Sequence, residues 1–394
     1  MTNVILVINA GSSSLKFALH PATTNVQGAL LKGQIEGIGG TPRFHALAHD
    51  GAPLLEQTLP TGSSAETCLS HLMHWLESRL GTYQLVGAGH RVVHGGEHLA
   101  TPMLISDAIV AKLEKLVPLA RAHQPFQIAA IKALATFHPS LNQVACFDTM
   151  FHMQRPRLDK IMAIPRALTD AGILRYGFHG LSYEYIASCL PEILGDKASG
   201  KIIVAHLGSG ASLCAMLDLR CVATTMGFTA LDGLMMGTRC GAIDPGVLLY
   251  AMEERGMSAT QLSAMLYQKS GLLGVSGISS DMRTLLADNN PNAQEAVELF
   301  VASALREIGK MMAALEGLDA LVFTAGIGER SPEIRAMICN KLAWVGVAMN
   351  SSANTANEIV ISAPESRVTV CAIPTNEELI IARHTSKLLM WRQP

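Results

Sequence analysis

The chain has 394 residues, with 30 Lys plus Arg against 32 Asp plus Glu and a net charge of −2. That balance argues against a nucleic-acid coat or a polybasic membrane-surface binder, while leaving room for a local basic pocket. Hydrophobic residues make up 49% and charged residues 16%, which excludes a disordered chain, and the length asks for two domains of ordinary size. No apolar run approaches the length of a bilayer span. The stretch Val4 to Ile8 is short and lacks a basic flank, so it does not read as a secretory signal. The eight cysteines are scattered, with no CxxC and no zinc spacing, and are expected to be reduced core residues of a cytoplasmic protein.

In chain order, Val7 to Leu19 (VINAGSSSLKFAL) reads as strand, small-residue turn, strand. Gln84 to Val86 and Gln143 to Phe147 read as short buried strands. Ile109 to Leu116 and Phe126 to Leu134 have helical spacing, the first capped by Ser106 or Asp107. Val204 to Met216 (VAHLGSGASLCAM) repeats the opening pattern. Gly11 and Gly208 lie 197 positions apart, half the chain, which suggests a duplication; the alternative is chance similarity of two small hairpins. Val297, Phe300, Val301, Ala304, Leu305, Ile308, Met311, Met312 and Leu315 trace one face of a helix that Gly317 would stop. Ala320 to Phe323 reads as a buried strand, and Ser331-Pro332 as the cap and first turn of another helix. Thr375 and Glu378 have capping-box spacing ahead of Leu379 to Ala382, which leaves Glu377 without a structural task. Strands alternating with helices predict α/β layers, with a boundary near Asp148.

The sequence has neither a P-loop nor a GxGxxG fingerprint. It has three small-residue turns directly after apolar strands: Asn9 to Ser14, His206 to Ser212 and Ala325 to Glu329. Such turns let backbone N–H groups approach an anion, and three together favour a polyphosphate over three ordinary tight turns. Polar residues accompany them: His90, Arg91 and His94; His123; Asp148, Thr149 and His152; Arg175, Tyr176, His179 and Ser182; and Arg239 in a glycine-punctuated loop. Singly, each has a bland reading as a hydrogen-bonded histidine, a helix cap or a loop ion pair. Together they follow strands in an α/β pattern, where ligands bind at carboxyl ends.

The ordered strings NAGSSSLKF (9–17), HRVVHGG (90–96), FDTMFH (147–152), RYGFHG (175–180), HLGSGAS (206–212), GLMMGTR (233–239), GVSGISSDMR (274–283), FTAGIGER (323–330) and PTNEEL (374–379) resemble the acetate kinase family over essentially the whole chain. The resemblance implies two duplicated α/β domains of the actin, Hsp70 and sugar-kinase type (ribonuclease H-like), with a cleft between them. These would be residues 1–148 with a returning helix at 378–394, and a nucleotide-binding domain at 149–377. It implies reversible ATP-dependent phosphorylation of a short-chain carboxylate, aided by Mg2+ with Mn2+ as a substitute, in a cytoplasmic homodimer that needs no nucleic acid or membrane. Carried across by position, Asn9 and Glu377 would serve the metal. Ser14 and Lys16 would serve the N-terminal phosphate turn, and Arg91 the acceptor carboxylate. Asp148, His179, Arg239 and His123 would be the catalytic group. His206, Leu207, Gly208, Ser209 and Gly210 would form a phosphate loop. Asp281, Met282 and Arg283, with Gly326, Ile327, Gly328, Glu329 and Arg330, would contact the adenosine.

The chemistry suits these residue types. The acceptor carboxylate is already ionised at neutral pH, so the difficulty is charge repulsion rather than proton removal. Departures from the family pattern are Leu181 and Tyr183 after FHG, Ser209 in the phosphate loop, Ala242, and Arg330 in the nucleotide segment. Ser209 and Arg330 keep a pyrophosphate-linked acetokinase in view. The implied acyl pocket comprises Val93, Ala122, Phe178 and Ala230, where alanines at 122 and 230 leave space. One extra methylene is worth ~0.8 kcal/mol at most, so propionate is expected to be accepted beside acetate, with a propionate-preferring kinase as the alternative. A fold-sharing ATP-driven binding module is the reading from another class, and it would not need Arg91 aimed at a carboxylate.

Overall fold

The computed structural model describes residues 2–79, 81 and 83–390. It divides into two compact units, Met1–Met150 with Asn376–Pro394, and Phe151–Thr375. The divisions fall two residues from the boundaries expected at 148 and 378, so Glu377 belongs to the first unit.

The first unit holds β1 (Thr2–Ala10), β2 (Ser14–Pro21), β3 (Leu31–Glu36), β4 (Arg43–Ala48), β5 (Pro53–Thr58), β6 (Tyr83–Val92), β7 (Met103–Leu104) and β8 (Gln143–Phe147). Their order in the sheet is β5-β4-β3-β2-β1-β6-β8-β7. β1 to β5 form an antiparallel meander, whereas β1, β6 and β8 are parallel. Val4 to Ile8 are buried on both faces of β1, as expected of a central strand covered above and below, which explains a continuous apolar run instead of alternation. One face packs against the helix Ala65–Glu77 through Leu69, Leu72, Met73 and Leu76. The helix Glu377–Met390 packs on β1 and β6. Its close approach rests on the glycines of the GAG run. A Cβ at Gly89 would sit 2.3 Å from Thr385 Oγ1 and 2.6 Å from Ile381 Cγ2.

The second unit holds β9 (Ile202–Leu207), β10 (Ala211–Leu217), β11 (Arg220–Thr224), β12 (Ala320–Thr324) and β13 (Thr369–Ala372), in the order β11-β10-β9-β12-β13. β9 to β11 are antiparallel neighbours, and β12 and β13 run parallel to β9. The path β3-β2-β1-β6-β8 of the first unit has the same order and the same strand directions. The likeness of VINAGSSSLKFAL and VAHLGSGASLCAM therefore extends to whole sheets, as a duplication requires. The helical stripe from Val297 belongs to Pro291–Leu315, opened by Asn290 and closed by Glu316 in a left-handed conformation before Gly317.

Three local expectations are corrected. The Thr375–Glu378 box does not form: the helix begins at Glu377, and Asn376 Oδ1 accepts from Leu379 N at 3.0 Å. Thr375 Oγ1 is buried without a hydrogen-bond partner, and its backbone N donates to Glu329 instead. Ser331 marks the start of the helix Pro332–Asn340, but its hydroxyl donates to Glu333 and does not cap the backbone. Ala325 to Glu329 is not a turn but the short helix Ala325–Arg330, entered through Ala325 at φ 64°.

Candidate active site

In the first unit the proposed residues gather at the carboxyl ends of parallel strands. Asn9 ends β1, Arg91 is near the end of β6, Asp148 follows β8, and Glu377 opens the returning helix. This is where side chains emerge from the sheet without a ladder neighbour beyond them. Asp148 is 1% exposed. Arg91 Nε donates to both of its oxygens (3.0 and 3.2 Å), and Nη2 donates to Oδ2 at 2.6 Å. The fork of Arg91 is thus engaged internally, and Nη1 is its outer end, 3.5 Å from Asn9 Oδ1. Glu377 lies 3.6 Å from Arg91 Nε. Burial pushes its carboxyl up to about 7; Asp148 and Glu378 add to the rise, while Arg91 and Lys16 oppose it. Lys16 is exposed on β2 and pairs in register with Asn9, with Ser14 at the start of the same strand.

Val93 and His94 continue from β6. Their backbone N–H groups donate to Gln127 (2.9 Å) and Gln124 (3.1 Å), whose side chains are buried. These glutamines fasten the helix Gln124–Phe137 to the strand end, and with it Ala122 and His123 at its entrance. The sequence reading passed over both. Their signal was two glutamines, three apart, at the start of a mostly apolar helix.

In the second unit His179 stands at φ 58° before the helix Gly180–Leu194. Its Nδ1 is 2.8 Å from Ser212 Oγ, which is 2.5 Å from the Tyr183 hydroxyl. The His179 and His206 rings stack at 4.1 Å, and His206 Nδ1 is 2.9 Å from Ser182 Oγ. Arg239 Nη1 donates to Ala230 O at 2.6 Å. A Cβ on Gly210 would lie 2.5 Å from Arg239 Nη2 and 3.3 Å from His179 Nε2, so both side chains converge on this glycine. Tyr183, which departs from the family pattern, completes a hydroxyl chain to His179. Ser212 and the chain it anchors were missed, because no spacing in sequence links residue 212 to His179 and Tyr183, which are one helical turn apart.

The segments expected to form the phosphate loop and the nucleotide site are neighbours within this unit. Gly208 lies against Ala325 and Gly326, Gly237 N donates to Ser209 O, and Gly237 abuts Ser280. Ser209 and Gly326 are exposed and Leu207 is buried, with Ile327 partly exposed and Gly328 buried. Other residues have structural duties. Asp281 caps the short helix Met282–Leu286 and pairs with exposed Arg283 at 2.7 Å, while Met282 is 3% exposed. Glu329 accepts from Ala325 N and Thr375 N, both at 2.8 Å, and Arg330 is exposed. Phe178 is buried at 2% exposure.

The acetokinase family profile matches residues 4–383. An acetate kinase of Rhodopseudomonas palustris (strain TIE-1) is 51% identical over 98% of this chain and 99% of its own length. One of Rickettsia felis is 42% identical over 99% of this chain and its own full length. Among solved structures, a propionate kinase from Francisella tularensis superposes with TM-score 0.91 at 37% identity, covering 98% of this chain and 99% of that one. The acetate kinase of Porphyromonas gingivalis gives 0.85 at 34% identity, covering 98% and 100%. Matched along nearly its whole length in sequence and in backbone superposition, the chain belongs to the acetokinase family.

Proposed function

We propose that the protein transfers the γ-phosphoryl group of ATP to the carboxylate of acetate, reversibly, forming acetyl phosphate and ADP. The observation that carries this reading is Arg91, held by the buried Asp148 carboxylate with its outer nitrogen directed past Asn9. A fixed guanidinium at a strand end suits a small carboxylate. Asp148 acts as the holder of Arg91, not as a base, because the acceptor needs none. An acceptor oxygen attacks γ-phosphorus in line as the bond to the ADP oxygen breaks. Arg239 and His179 donate to the equatorial oxygens, where charge must be stabilised. His123 is read as a further donor on the acceptor side. The loop His206 to Gly210 holds the phosphates through backbone N–H groups, and residues 281–283 and 326–330 hold the nucleoside.

Asn9 and Glu377 would hold Mg2+. Hard oxygen donors fit such an ion, and two carboxylates crowding one guanidinium, with Glu377 raised to about 7, mark a place where a cation is welcome. The ion would supply charge neutralisation on the phosphates. We place the protein in the cytoplasm, consistent with eight cysteines among which no disulfide forms; no helix among the described residues is long and apolar enough to cross a membrane. The helix Pro245–Glu253 exposes Val247, Leu249, Tyr250 and Met252, apolar surface suited to a second copy of the chain in a homodimer.

Hydroxylamine capture of the acyl phosphate tests the reading, with formate, acetate, propionate and butyrate as acceptors and ATP, GTP and pyrophosphate as donors. Acetate with Mg-ATP should give product, and propionate should follow within about tenfold in kcat/KM. Arg91→Ala should weaken the acceptor without weakening ATP. No product from any acceptor would end the proposal.

A further inference from the structure

Two side chains of one turn, His152 and Arg155, grip the backbone that leads into His179. Arg155 is 3% exposed, and its Nη2 donates to Arg175 O (2.7 Å) and Tyr176 O (2.9 Å), while its Nε donates to His152 O (3.0 Å). The His152 ring is fully buried. Its Nε2 is 2.9 Å from Phe178 O and its Nδ1 is 3.1 Å from Cys221 Sγ. A carbonyl oxygen only accepts, so Nε2 carries a proton, and Nδ1 faces the Cys221 sulfur. The ring also meets Tyr183 edge-on at 5.6 Å.

The gripped segment is strained. Gly177 has φ 79° and His179 has φ 58°, a region that a residue with a side chain enters only when its surroundings hold it there. A Cβ at Gly177 would lie 2.7 Å from the His152 ring and 2.8 Å from Thr224 Cγ2. The backbone therefore presses directly on His152 one residue before the Phe178 carbonyl that His152 holds. His152 also lies with Cys214 and Cys221 in a buried trio whose ligating atoms are within 4.8 Å of one another. Zinc usually takes four donors, and this group supplies three among the described residues, so the contacts read more simply as a hydrogen-bonded brace.

We propose that His152 is a positioning residue for phosphoryl transfer: its Nε2–H bond to Phe178 O holds the segment 177 to 179, left-handed at Gly177 and at His179, in the path that brings His179 Nε2 beside Arg239. This rests on the assignment of His179 to the reaction made above.

The test compares two isosteres. Glutamine places an amide nitrogen near the position of Nε2 and keeps the donor to Phe178 O; asparagine reaches only as far as Nδ1 and loses it. Both remove the ring and both should lower stability alike in urea. His152→Asn should lose about tenfold or more in kcat, with KM for acetate and for ATP within about threefold, and His152→Gln should recover most of that loss. In 15N-histidine NMR the His179 ring signal should move in His152→Asn and stay in His152→Gln. Equal kcat losses in the two variants with an unmoved His179 signal would overturn the brace. Should His152→Asn fail to fold, His152→Gln alone decides: kcat near wild type supports the proposal, and a loss of about tenfold sinks it. If the wild type makes no acyl phosphate, the reaction assignment falls, while the NMR comparison still decides whether His152 holds His179.

Discussion

Consider Gly210→Ala. The new Cβ would arrive 2.5 Å from Arg239 Nη2 and 3.3 Å from His179 Nε2. The first distance is short of normal contact by about 1 Å, and the nearest group is the end of a flexible side chain, so the guanidinium is what moves. It cannot swing freely, because Nη1 is tied to Ala230 O at 2.6 Å. A displacement of about 1 Å at a group that stabilises the transferring phosphoryl is worth on the order of 10² in rate. That is about 2.7 kcal/mol of transition-state stabilisation. The φ of Gly210 is outside the left-handed region, so alanine fits the backbone and the fold should lose no more than about 1 kcal/mol. The expected result is kcat down about a hundredfold at nearly constant KM for ATP, with little change in urea midpoint. A double-mutant cycle with Arg239→Ala makes the assay specific. If Gly210→Ala acts through Arg239, the double variant should be no slower than Arg239→Ala alone. Wild-type kcat in Gly210→Ala, or full additivity in the cycle, would refute the convergence of these groups on the reacting phosphoryl.

Further outcomes are expected. Asp148→Asn preserves shape but takes from Arg91 its nearest charged partner; it should raise KM for acetate far more than KM for ATP, and cost about 1–3 kcal/mol in urea unfolding. His90 is 1% exposed, and burial lowers its pKa from 6.5 to about 4 despite a bond to Gln143 that raises it. The fold therefore holds it neutral. Its stability contribution is complete above pH 6.5 and is lost as pH falls toward 4, about 3 kcal/mol in all, so urea midpoints should drop across that window and drop less in His90→Gln. Asn376→Ala should destabilise by about 1 kcal/mol, whereas Thr375→Ala should be close to neutral; the reverse ranking would restore the Thr375–Glu378 box.

Much of the fold was legible because its causes are local. Gln143 to Phe147 is a strand to the residue: five buried positions in a row have only one use in a parallel sheet. Ser106 opens one helix and Gly317 follows the end of another, by chemistry that acts within a few residues. The two hairpins were visible as a repeat, since small residues are required wherever a strand reverses tightly. Misreadings came where two local rules competed. Thr375 and Asn376 are both capping types, and Glu329 decided between them by taking the Thr375 amide from 46 residues away. At Ala325 the sequence favoured a turn, and a helix entered through a strained φ replaced it.

The residues proposed for the chemistry were named by type and motif, but their contacts were not. Nothing in residues 91 and 148 says that the guanidinium fork would face Asp148 and leave only Nη1 outward. Neither does spacing link Ser212 with His179 and Tyr183, or bring His152 from one segment to Cys221 and Phe178 in two others. Periodicity reports which face of an element is buried, because that depends on neighbours along the chain. Which polar atom meets which is set by strand order and by side chains arriving from distant segments, so only the tertiary structure decides it.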